Sequence, residues 1–307
     1  MNVVALAGGV GAARFLRGLV HVIPHDLTVV VNTGDDIQLH GLHVSPDLDA
    51  ITYTLGGGVH PQQGLGRAYE SFTVATELRE RYGQPDWFTL GDRDLATHLV
   101  RSRILDEGGR LSQATQTIAQ TWSLPFRLLP MTDDAVTTMI HTNDDRQLHL
   151  QQWWVGERAE PAVAKIWLDG VDDAAPAPGV LAAIAHADLV VLCPSNPVVS
   201  IGTILSVPGI RSSLSQVPVV GVSPIIGGRV VRGMADKLLR AIGCDVSAAA
   251  VAGLYGDFLD GWVIDDADAD AAEGLRSHGL KVAVTDTVMD DLDVTTALAR
   301  TAVELLR

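Results

Sequence analysis

The chain has 307 residues, of which 47% are hydrophobic and 19% charged, with a formal net charge of -15 and two cysteines. A chain of this length and apolar content buries a full core, which excludes intrinsic disorder and fits one large α/β domain or two ordinary ones. The acidic balance argues against a general nucleic-acid or anionic-membrane binder, and two cysteines cannot build a disulfide framework or a four-thiolate zinc site.

The N-terminal part predicts a βαβ unit. Residues 3–7 are a short apolar run, residues 8–11 are glycine-rich, and residues 12–22 are amphipathic with helical periodicity. A second β-rich run over residues 27–31 ends in Asn-Thr-Gly-Asp-Asp. Apolar strands joined by a helix are typical of a parallel sheet covered on both faces. The start of the chain lacks the basic region of a signal peptide and no apolar run is long enough to span a bilayer, so we expect a cytoplasmic protein.

The middle of the chain has a different pattern. Residues 66–122 are charged with helical periodicity, whereas residues 148–168 contain Trp153, Trp154 and Trp167 and are expected to form strands or an edge hairpin. The C-terminal half returns to the α/β pattern, with strands predicted at residues 189–193, 217–222, 261–264 and 281–284.

These elements predict one α/β domain over residues 1–307. We expect a Rossmann-like three-layer core with a mainly parallel sheet and a largely helical insertion around residues 60–130. A tryptophan-bearing strand region is expected around residues 147–168.

The glycine turn between the first strand and the first helix is a candidate phosphate site, because a helix N-terminus offers free N–H groups and a positive dipole end. It is not a P-loop, since no Gly-Lys-Ser/Thr follows, and Arg14 occupies the third glycine position of a dinucleotide fingerprint. A tight strand–helix turn without a ligand is the alternative interpretation.

An acidic cluster follows the second strand. Asp35 and Asp36 lie where that strand should end, and Asp47 and Asp49 follow shortly after. Carboxylates at the carboxyl ends of parallel strands face the ligand crevice, and Mg²⁺ is usually bound by one or two carboxylates together with phosphate oxygens and water. We expect Asp47 to cap the helix predicted over residues 50–55 and Asp49 to act as the ligand.

Two further loops have polar side chains at predicted strand or helix ends. The segment Gly-Asp-Arg-Asp at residues 91–94 places two carboxylates around Arg93, either as a functional loop or as a capped helix start with a surface ion pair. The segment Pro-Ser-Asn-Pro at residues 194–197 follows a predicted strand, where it either binds a nucleotide or forms an ordinary turn.

Taken together, these motifs and their order resemble the 2-phospho-L-lactate transferases of coenzyme F-420 biosynthesis, over nearly the whole chain. The segments that carry the resemblance are Ala-Gly-Gly-Val-Gly (7–11), Val-Asn-Thr-Gly-Asp-Asp (31–36), Ser-Pro-Asp-Leu-Asp (45–49), Leu-Gly-Asp-Arg-Asp-Leu-Ala-Thr-His (90–98), Leu-Pro-Met (129–131), Pro-Ser-Asn-Pro (194–197), Ser-Pro-Ile-Ile-Gly (223–227) and Asp-Phe-Leu-Asp (257–260).

The resemblance implies a Mg²⁺-dependent transfer. A guanosine diphosphate-linked three-carbon acid, lactyl or enolpyruvyl, is attacked by the terminal ribityl hydroxyl of 7,8-didemethyl-8-hydroxy-5-deazariboflavin, and GMP leaves. An Ala/Val/Asp-rich chain with few lysines favours the enolpyruvyl donor of actinobacterial members. Such a transfer needs positioning and charge neutralisation more than a protein nucleophile.

Site residues are carried over from the family where the motifs match. Asp35 and Asp49 would hold Mg²⁺ and act in catalysis, with Asp49 also orienting or deprotonating the attacking hydroxyl, and Asp49 and Arg93 would contact the deazaflavin. The nucleotide would be bound by Gly8, Gly9, Val10, Gly11, Ser195 and Asn196.

Two other functions compete with this one. An NAD(P)-binding oxidoreductase would use the glycine turn, although the third glycine is missing and the acidic cluster would repel a pyrophosphate. A non-catalytic guanine-nucleotide sensor would bind GDP without turnover. We also expect a homodimer, and the stretch with Trp153 and Trp154 either covers the core or forms the face of that dimer.

Overall fold

A computed structural model describes residues 1–60 and 66–307; residues 61–65 of the predicted helical insertion lie outside the described residues. The strands, in chain order, are β1 (Val3–Ala7), β2 (Leu27–Val31), β3 (Ile37–Leu39), β4 (Leu42–Val44), β5 (Arg127–Pro130), β6 (Thr137–Thr142), β7 (Gln147–His149), β8 (Val163–Asp169), β9 (Leu189–Leu192), β10 (Val219–Val222), β11 (Ile225–Ile226), β12 (Arg229–Val230), β13 (Gly261–Ile264) and β14 (Lys281–Val284).

The helices alternate with these strands along most of the chain. They are α1 (Gly9–Val22), α2 (Pro46–Leu55), α3 (Thr73–Tyr82), α4 (Asp94–Asp106), α5 (Leu111–Thr121), α6 (Val180–Ala185), α7 (Gly202–Ser206), α8 (Ile210–Leu214), α9 (Ala235–Ala241), α10 (Ala248–Gly253), α11 (Ala272–Ser277) and α12 (Leu292–Glu304). The chain also forms π-helical turns at Gln152–Gly156 and Pro197–Ile201 and short 3-10 helices at Val171–Asp173 and Asp266–Ala271.

Seven strands form one central sheet in the order β14-β13-β10-β9-β1-β2-β5, and every neighbouring pair is parallel. From β1 the chain winds outward through β2 to β5, then returns to place β9 beside β1 and winds outward in the other direction. This reversal is the topological switch point of a doubly wound sheet, and ligands bind beyond the carboxyl ends of the strands there. The predicted Rossmann-like core with a mainly parallel sheet is confirmed.

The sheet is buried on both faces, which explains its continuous apolar strands. On β1, Val4 and Leu6 pack into one apolar cluster and Val3 and Ala5 into another, because successive side chains point to opposite faces. Helices α1 and α12 cover one face, and α6, α7, α8 and α10 cover the other. The result is a three-layer core whose two apolar layers hold the strands in place.

The region between β2 and β9 departs from this pattern. It contains α3, α4 and α5 and a separate antiparallel sheet in the order β7-β6-β8. Trp167 lies on β8, but the expectation of a strand at Trp153 and Trp154 was wrong, because both belong to the π-helical turn Gln152–Gly156. The hairpin between β7 and β8 is also absent, since each of them pairs with β6 instead.

Burial explains why the first tryptophan of that pair leaves the strand pattern. Trp153 is fully buried and its indole Nε1 donates a 2.9 Å hydrogen bond to the carbonyl of Pro161. Trp154 stays partly exposed. Trp153 is therefore a core residue. The homodimer stays a prediction, and of these two tryptophans Trp154 is the one exposed enough to contact a second copy of the chain. Within residues 1–60 and 66–307, no helix has both the length and the apolar character needed to cross a bilayer.

Candidate active site

A cleft of about 1140 Å³ opens at the carboxyl edge of the parallel sheet, beside the switch point. Its wall includes all of the predicted nucleotide-binding residues, which are Gly8, Gly9, Val10, Gly11, Ser195 and Asn196. The predicted metal ligands Asp35 and Asp49 line it as well, whereas Arg93 is not part of its wall. The fold thus brings together groups that are up to 188 positions apart in the chain, from Gly8 to Asn196.

The glycine turn is packed tightly against the loop that follows β9. The Gly8 N–H donates a 3.1 Å hydrogen bond to Ser195 Oγ. A Cβ on Gly8 would lie 2.6 Å from the Cβ of Ser200, and one on Gly11 would lie 2.4 Å from the carbonyl oxygen of Pro194. These glycines are therefore required by packing across the switch point.

The two helix starts beside the glycine turn, those of the π-helical turn Pro197–Ile201 and of α1, are capped differently. Asn196 Oδ1 accepts hydrogen bonds from the N–H groups of Val198 and Val199 and so caps the π-helical turn. The N-cap residue of α1 is Gly8, which has no side chain to cap the helix, and the Gly9 N–H donates to the Asp47 carboxylate. The N–H groups of the first turn of α1, at Val10 and Gly11, are thus left for an anion in the cleft.

Asp47 does not cap α2, contrary to expectation. Helix α2 begins at Pro46, which suits the first helical position, and no side chain makes a cap hydrogen bond to it. Asp47 lies inside the first turn and its Oδ2 accepts a 2.9 Å hydrogen bond from Asn32 Nδ2. Asn32 is buried and also accepts a hydrogen bond from the Gly34 N–H, so it fixes the carboxylate against the end of β2.

Asp35 and Asp47 form a buried acidic pair, and no cationic side chain of residues 1–60 or 66–307 compensates it. Burial raises the pKa of Asp35 well above its usual range, and the negative charge of Asp47 raises it further. Burial also raises the pKa of Asp47, to about 7, against the opposing hydrogen bond from Asn32. Asp35 Oδ1 is buried and has no hydrogen-bond partner in the part of the chain that the structure describes. A divalent cation would satisfy this oxygen and neutralise the pair.

The acidic pair therefore fits a magnesium ion. Carboxylate oxygens are hard ligands, and Mg²⁺ commonly uses one or two of them and completes its shell with water and substrate phosphate. In the described part of the chain no group of three or more His, Cys, Asp or Glu side chains could hold a metal ion alone. Two carboxylates facing an open cleft are consistent with a cation that binds together with a phosphorylated substrate.

Asp49, the second predicted ligand, has a different environment. Its two carboxylate oxygens pair with both terminal nitrogens of Arg101, with Nη1 at 3.1 Å from Oδ2, and both side chains are buried. His98 lies beside this pair, with Nδ1 3.3 Å from Arg101 Nη1 and Nε2 3.2 Å from Asp94 Oδ2. The Tyr53 hydroxyl donates to Asp94.

These contacts form a continuous buried network behind one wall of the cleft, made of Asp49, Arg101, His98, Asp94 and Tyr53. Sequence reasoning missed Arg101, because its partner lies 52 positions away and no local pattern indicates the contact. It also gave no role to Asn32, although this residue follows β2 directly and belongs to the segment Val-Asn-Thr-Gly-Asp-Asp at residues 31–36.

The loop before α4 is built differently from the expectation that Asp92 and Asp94 hold the guanidinium of Arg93. Asp92 accepts hydrogen bonds from the N–H groups of Thr73 and Val74 and so caps α3. The hydrogen bonds from the Val74 N–H and the Ser71 hydroxyl lower the pKa of Asp92 to about 2. Asp94 belongs to the buried network, and neither carboxylate pairs with Arg93 anywhere in the described residues.

Arg93 is instead fixed through its backbone. Its N–H donates to Glu70 Oε2 at 2.9 Å and its carbonyl accepts a hydrogen bond from Arg67 Nη1 at 3.1 Å. The side chain is exposed. Arg93 thus lies in the chain between the cleft-wall residues Gly91 and Asp94, and its exposed guanidinium has no fixed orientation from Asp92 or Asp94 in the described residues.

The fold and the cleft define a doubly wound α/β protein whose switch-point cleft combines a glycine turn with a buried acidic pair. The family model for "2-phospho-L-lactate transferase CofD" matches residues 3–302, and the chain belongs to this family of transferases. The glycine turn at residues 8–11, which resembles that of dinucleotide-binding proteins, therefore belongs to a member of a transferase family.

Relatives with named functions support the same family. Proteins named phosphoenolpyruvate transferase from Kitasatospora aureofaciens and Thermobifida fusca are each 51% identical to this chain, and the alignments cover 99% of it and 98% of each relative. The Mycolicibacterium smegmatis protein of the same name is 43% identical with the same coverage. The crystal structure of Bacillus halodurans BH3568 shares the fold, with a TM-score of 0.65 at 18% identity over 99% of both chains.

Proposed function

We propose that the protein transfers a phosphorylated three-carbon acid from a guanosine diphosphate-linked donor to the terminal ribityl hydroxyl of 7,8-didemethyl-8-hydroxy-5-deazariboflavin, a step of coenzyme F-420 biosynthesis. Membership of the family supports the reaction class. The names of the relatives at 51% identity favour the enolpyruvyl moiety over the lactyl moiety.

One observation carries the proposal beyond family membership. At the switch point, the open first turn of α1 and the Asp35–Asp47 pair face the same cleft, within contact of each other. A Cβ on Gly8 would lie 2.8 Å from Asp47 Oδ2, so a phosphate at the turn and a cation on the carboxylates would be neighbours. This juxtaposition is what a metal-assisted phosphoryl transfer requires.

The proposed step forms one phosphodiester bond and breaks one phosphoanhydride bond. The acceptor hydroxyl oxygen bonds to the phosphorus that carries the three-carbon acid, and the bond from this phosphorus to the bridging oxygen breaks. The electron pair remains on the bridging oxygen, which leaves with GMP, and the hydroxyl proton is released. Magnesium, when bound, would supply charge neutralisation at the phosphate oxygens.

The residues of this chain have separate tasks in the proposal. Asp35 and Asp47 hold the metal ion. Asp49, fixed by Arg101, accepts a hydrogen bond from the attacking hydroxyl and so orients it, and Arg93 contacts the deazaflavin at the cleft edge. That Asp49 is itself a metal ligand stays a prediction. An apolar part of the wall, which includes Phe72, Val74 and Trp154, suits the planar ring of the acceptor.

The deciding experiment is mass spectrometry of the products formed from deazaflavin and each of the two guanosine diphosphate-linked donors. We expect a phosphodiester product and stoichiometric GMP, faster with the enolpyruvyl donor, and loss of both when EDTA removes Mg²⁺. Binding of GDP without product in the presence of Mg²⁺ would instead identify a nucleotide sensor. Tight NADH binding with no GDP binding would favour an oxidoreductase.

A further inference from the structure

The cleft has an electrostatic problem that the metal ion alone does not solve. The chain has a net charge of -15, and Asp35, Asp47, Asp49 and Asp94 all line the cleft that must accept a diphosphate. Coulomb repulsion from such a wall opposes binding of the donor unless cationic side chains compensate it locally. The described part of the wall contains the arginines Arg14, Arg67, Arg79 and Arg232.

Two of these arginines are already committed to protein groups. The Arg67 guanidinium lies 4.6 Å from the ring centroid of Trp122 and donates to the carbonyl of Arg93. Arg79 pairs with Glu80 at 3.1 Å. By contrast, no hydrogen bond or ion pair involves the side chain of Arg14 or Arg232 anywhere in residues 1–60 and 66–307.

Arg14 has the better position of the two for a phosphate at the glycine turn. It lies on α1, where its neighbours Ala12, Ala13, Phe15 and Leu16 are buried, and it is the partly exposed residue of that stretch. Side chains on a helix lean toward the N-terminus and cover the residues three and four positions earlier, which for Arg14 are Gly11 and Val10. The guanidinium therefore extends toward the uncapped first turn.

We propose that Arg14 binds the diphosphate of the donor, together with the N–H groups of Val10 and Gly11. The inference rests on the proposed function and names a residue for it. A guanidinium presents two parallel N–H donors to two phosphate oxygens, which makes arginine specific for phosphate where lysine acts as a point charge. The acidic pair and Arg14 then flank the diphosphate, with the metal ion on one side and the guanidinium on the other.

The same geometry explains the departure from a dinucleotide fingerprint. In that fingerprint the third glycine allows close packing of the helix on a strand. Here the position is occupied by Arg14, which lines the cleft and does not face the core. The arginine therefore replaces a packing residue with a ligand-binding one.

The test compares Arg14→Gln and Arg14→Lys with Arg17→Gln as a matched control. Arg17 is exposed on the same helix and lies outside the cleft wall, so its substitution removes the same charge without a contact. Calorimetry with Mg²⁺ would measure binding of GDP, of inorganic pyrophosphate and of the deazaflavin. Steady-state kinetics would give KM for the donor and kcat, and thermal unfolding would report stability.

We expect Arg14→Gln to weaken GDP and pyrophosphate binding roughly 10- to 100-fold, since a charge-assisted hydrogen-bond pair is lost. The KM for the donor should rise by a similar factor, and Arg14→Lys should fall between the two. Deazaflavin binding and melting temperature should not change, and Arg17→Gln should behave as the wild type. Parallel loss of pyrophosphate and GDP affinity would place the contact at the phosphates and not at the guanine.

Unchanged pyrophosphate and GDP binding in Arg14→Gln would overturn the inference, as would an equal loss of deazaflavin binding with a lower melting temperature. The outcome is separable from that of the proposed function. A wild-type protein that binds GDP but yields no phosphodiester would overturn the proposed function, while the binding comparison still decides the role of Arg14. Product formation that is indifferent to Arg14→Gln would overturn the role of Arg14 alone.

Discussion

Two carboxylate sites in the same cleft are built in opposite ways. Asp49 is buried against Arg101, which pairs with both of its oxygens, and the pair is enclosed by His98 and Asp94. Asp35 and Asp47 are equally buried, but their polar neighbours are each other, the amide of Asn32 and the Gly9 N–H, and the described residues place no cation beside them. The Asp49 carboxylate is fully paired within the protein, whereas Asp35 Oδ1 is buried without a partner among the described residues.

The difference indicates that the Asp35–Asp47 site, and not Asp49, has a carboxylate oxygen available to a ligand. A buried carboxylate that is already paired with a guanidinium keeps its charge and its orientation without help. A buried acidic pair costs free energy until protons or a cation neutralise it, because like charges in a low-dielectric site repel strongly. We therefore expect the Asp49–Arg101 pair to position the substrate and the Asp35–Asp47 pair to bind the metal ion, and the following experiments test this division.

The largest expected effect is on stability, from breaking the complete site. Arg101→Met leaves Asp49 as an uncompensated buried charge, which should lower the free energy of unfolding by about 3–5 kcal/mol. Arg103→Met is the control, because Arg103 is exposed on the same helix and forms a surface pair with Glu107. Urea titration measures both. A loss below about 1 kcal/mol for Arg101→Met would mean that water reaches Asp49 and that the site is not closed.

Next in size is the effect on turnover of removing each carboxylate. Asp49→Asn should lower kcat by on the order of 100- to 1,000-fold at any Mg²⁺ concentration, since one preorganised contact to the acceptor is lost. Asp47→Asn should mainly raise the Mg²⁺ concentration that gives half-maximal turnover. Asp290→Asn serves as control, as Asp290 is an exposed acid elsewhere on the cleft wall. If Asp49→Asn instead raises the Mg²⁺ concentration needed for half-maximal turnover, Asp49 is a metal ligand. Near-wild-type turnover of Asp49→Asn at limiting Mg²⁺ would exclude Asp49 both as a metal ligand and as the residue that orients the acceptor hydroxyl.

A smaller effect is expected in the pH dependence of stability. The pKa of Asp47 is raised from 3.8 to about 7 by burial, so between these values the folded protein binds more protons than the unfolded chain. The free energy of unfolding without Mg²⁺ should therefore fall as the pH rises through this window. Mg²⁺ requires the deprotonated pair, so the rise in melting temperature on adding Mg²⁺ should grow from low to neutral pH and flatten in Asp47→Asn. A Mg²⁺ effect that is constant with pH would argue against the pair as ligands.

The same comparison shows how far sequence reasoning reaches. The strands at Val3–Ala7, Leu27–Val31, Gly261–Ile264 and Lys281–Val284 match their predicted bounds, because strands buried on both faces are apolar at most of their positions. The glycine turn and the loop with Ser195 were placed correctly at one edge, since parallel strands put their carboxyl ends together. Local pattern and sheet topology were sufficient there.

The wall that carries Asp49 could not be obtained in this way. Its contacts join α2 to α4 across 52 positions, and a guanidinium buried in a helix looks in sequence like one exposed on a helix. Asp92 was expected to pair with the side chain of Arg93, but it caps α3. It accepts hydrogen bonds from the N–H groups of Thr73 and Val74, which lie 19 and 18 positions earlier in the chain. The partners of charged side chains are determined by the tertiary structure, and the local sequence pattern does not predict them.

The smallest effect concerns Arg93, which belongs to neither carboxylate site. Its backbone is held by Glu70 and Arg67 while its guanidinium is free of Asp92 and Asp94 in the described residues, so it can turn toward a bound acceptor. Arg93→Lys keeps the charge but loses the planar fork, and we expect deazaflavin binding to weaken roughly 3- to 10-fold, the value of about one net hydrogen bond. GDP binding should not change, and Arg103→Lys provides the exposed control. If deazaflavin and GDP binding weaken together, the substitution has disturbed the loop anchored by Glu70, and Arg93 stabilises the wall of the cleft without contacting the acceptor.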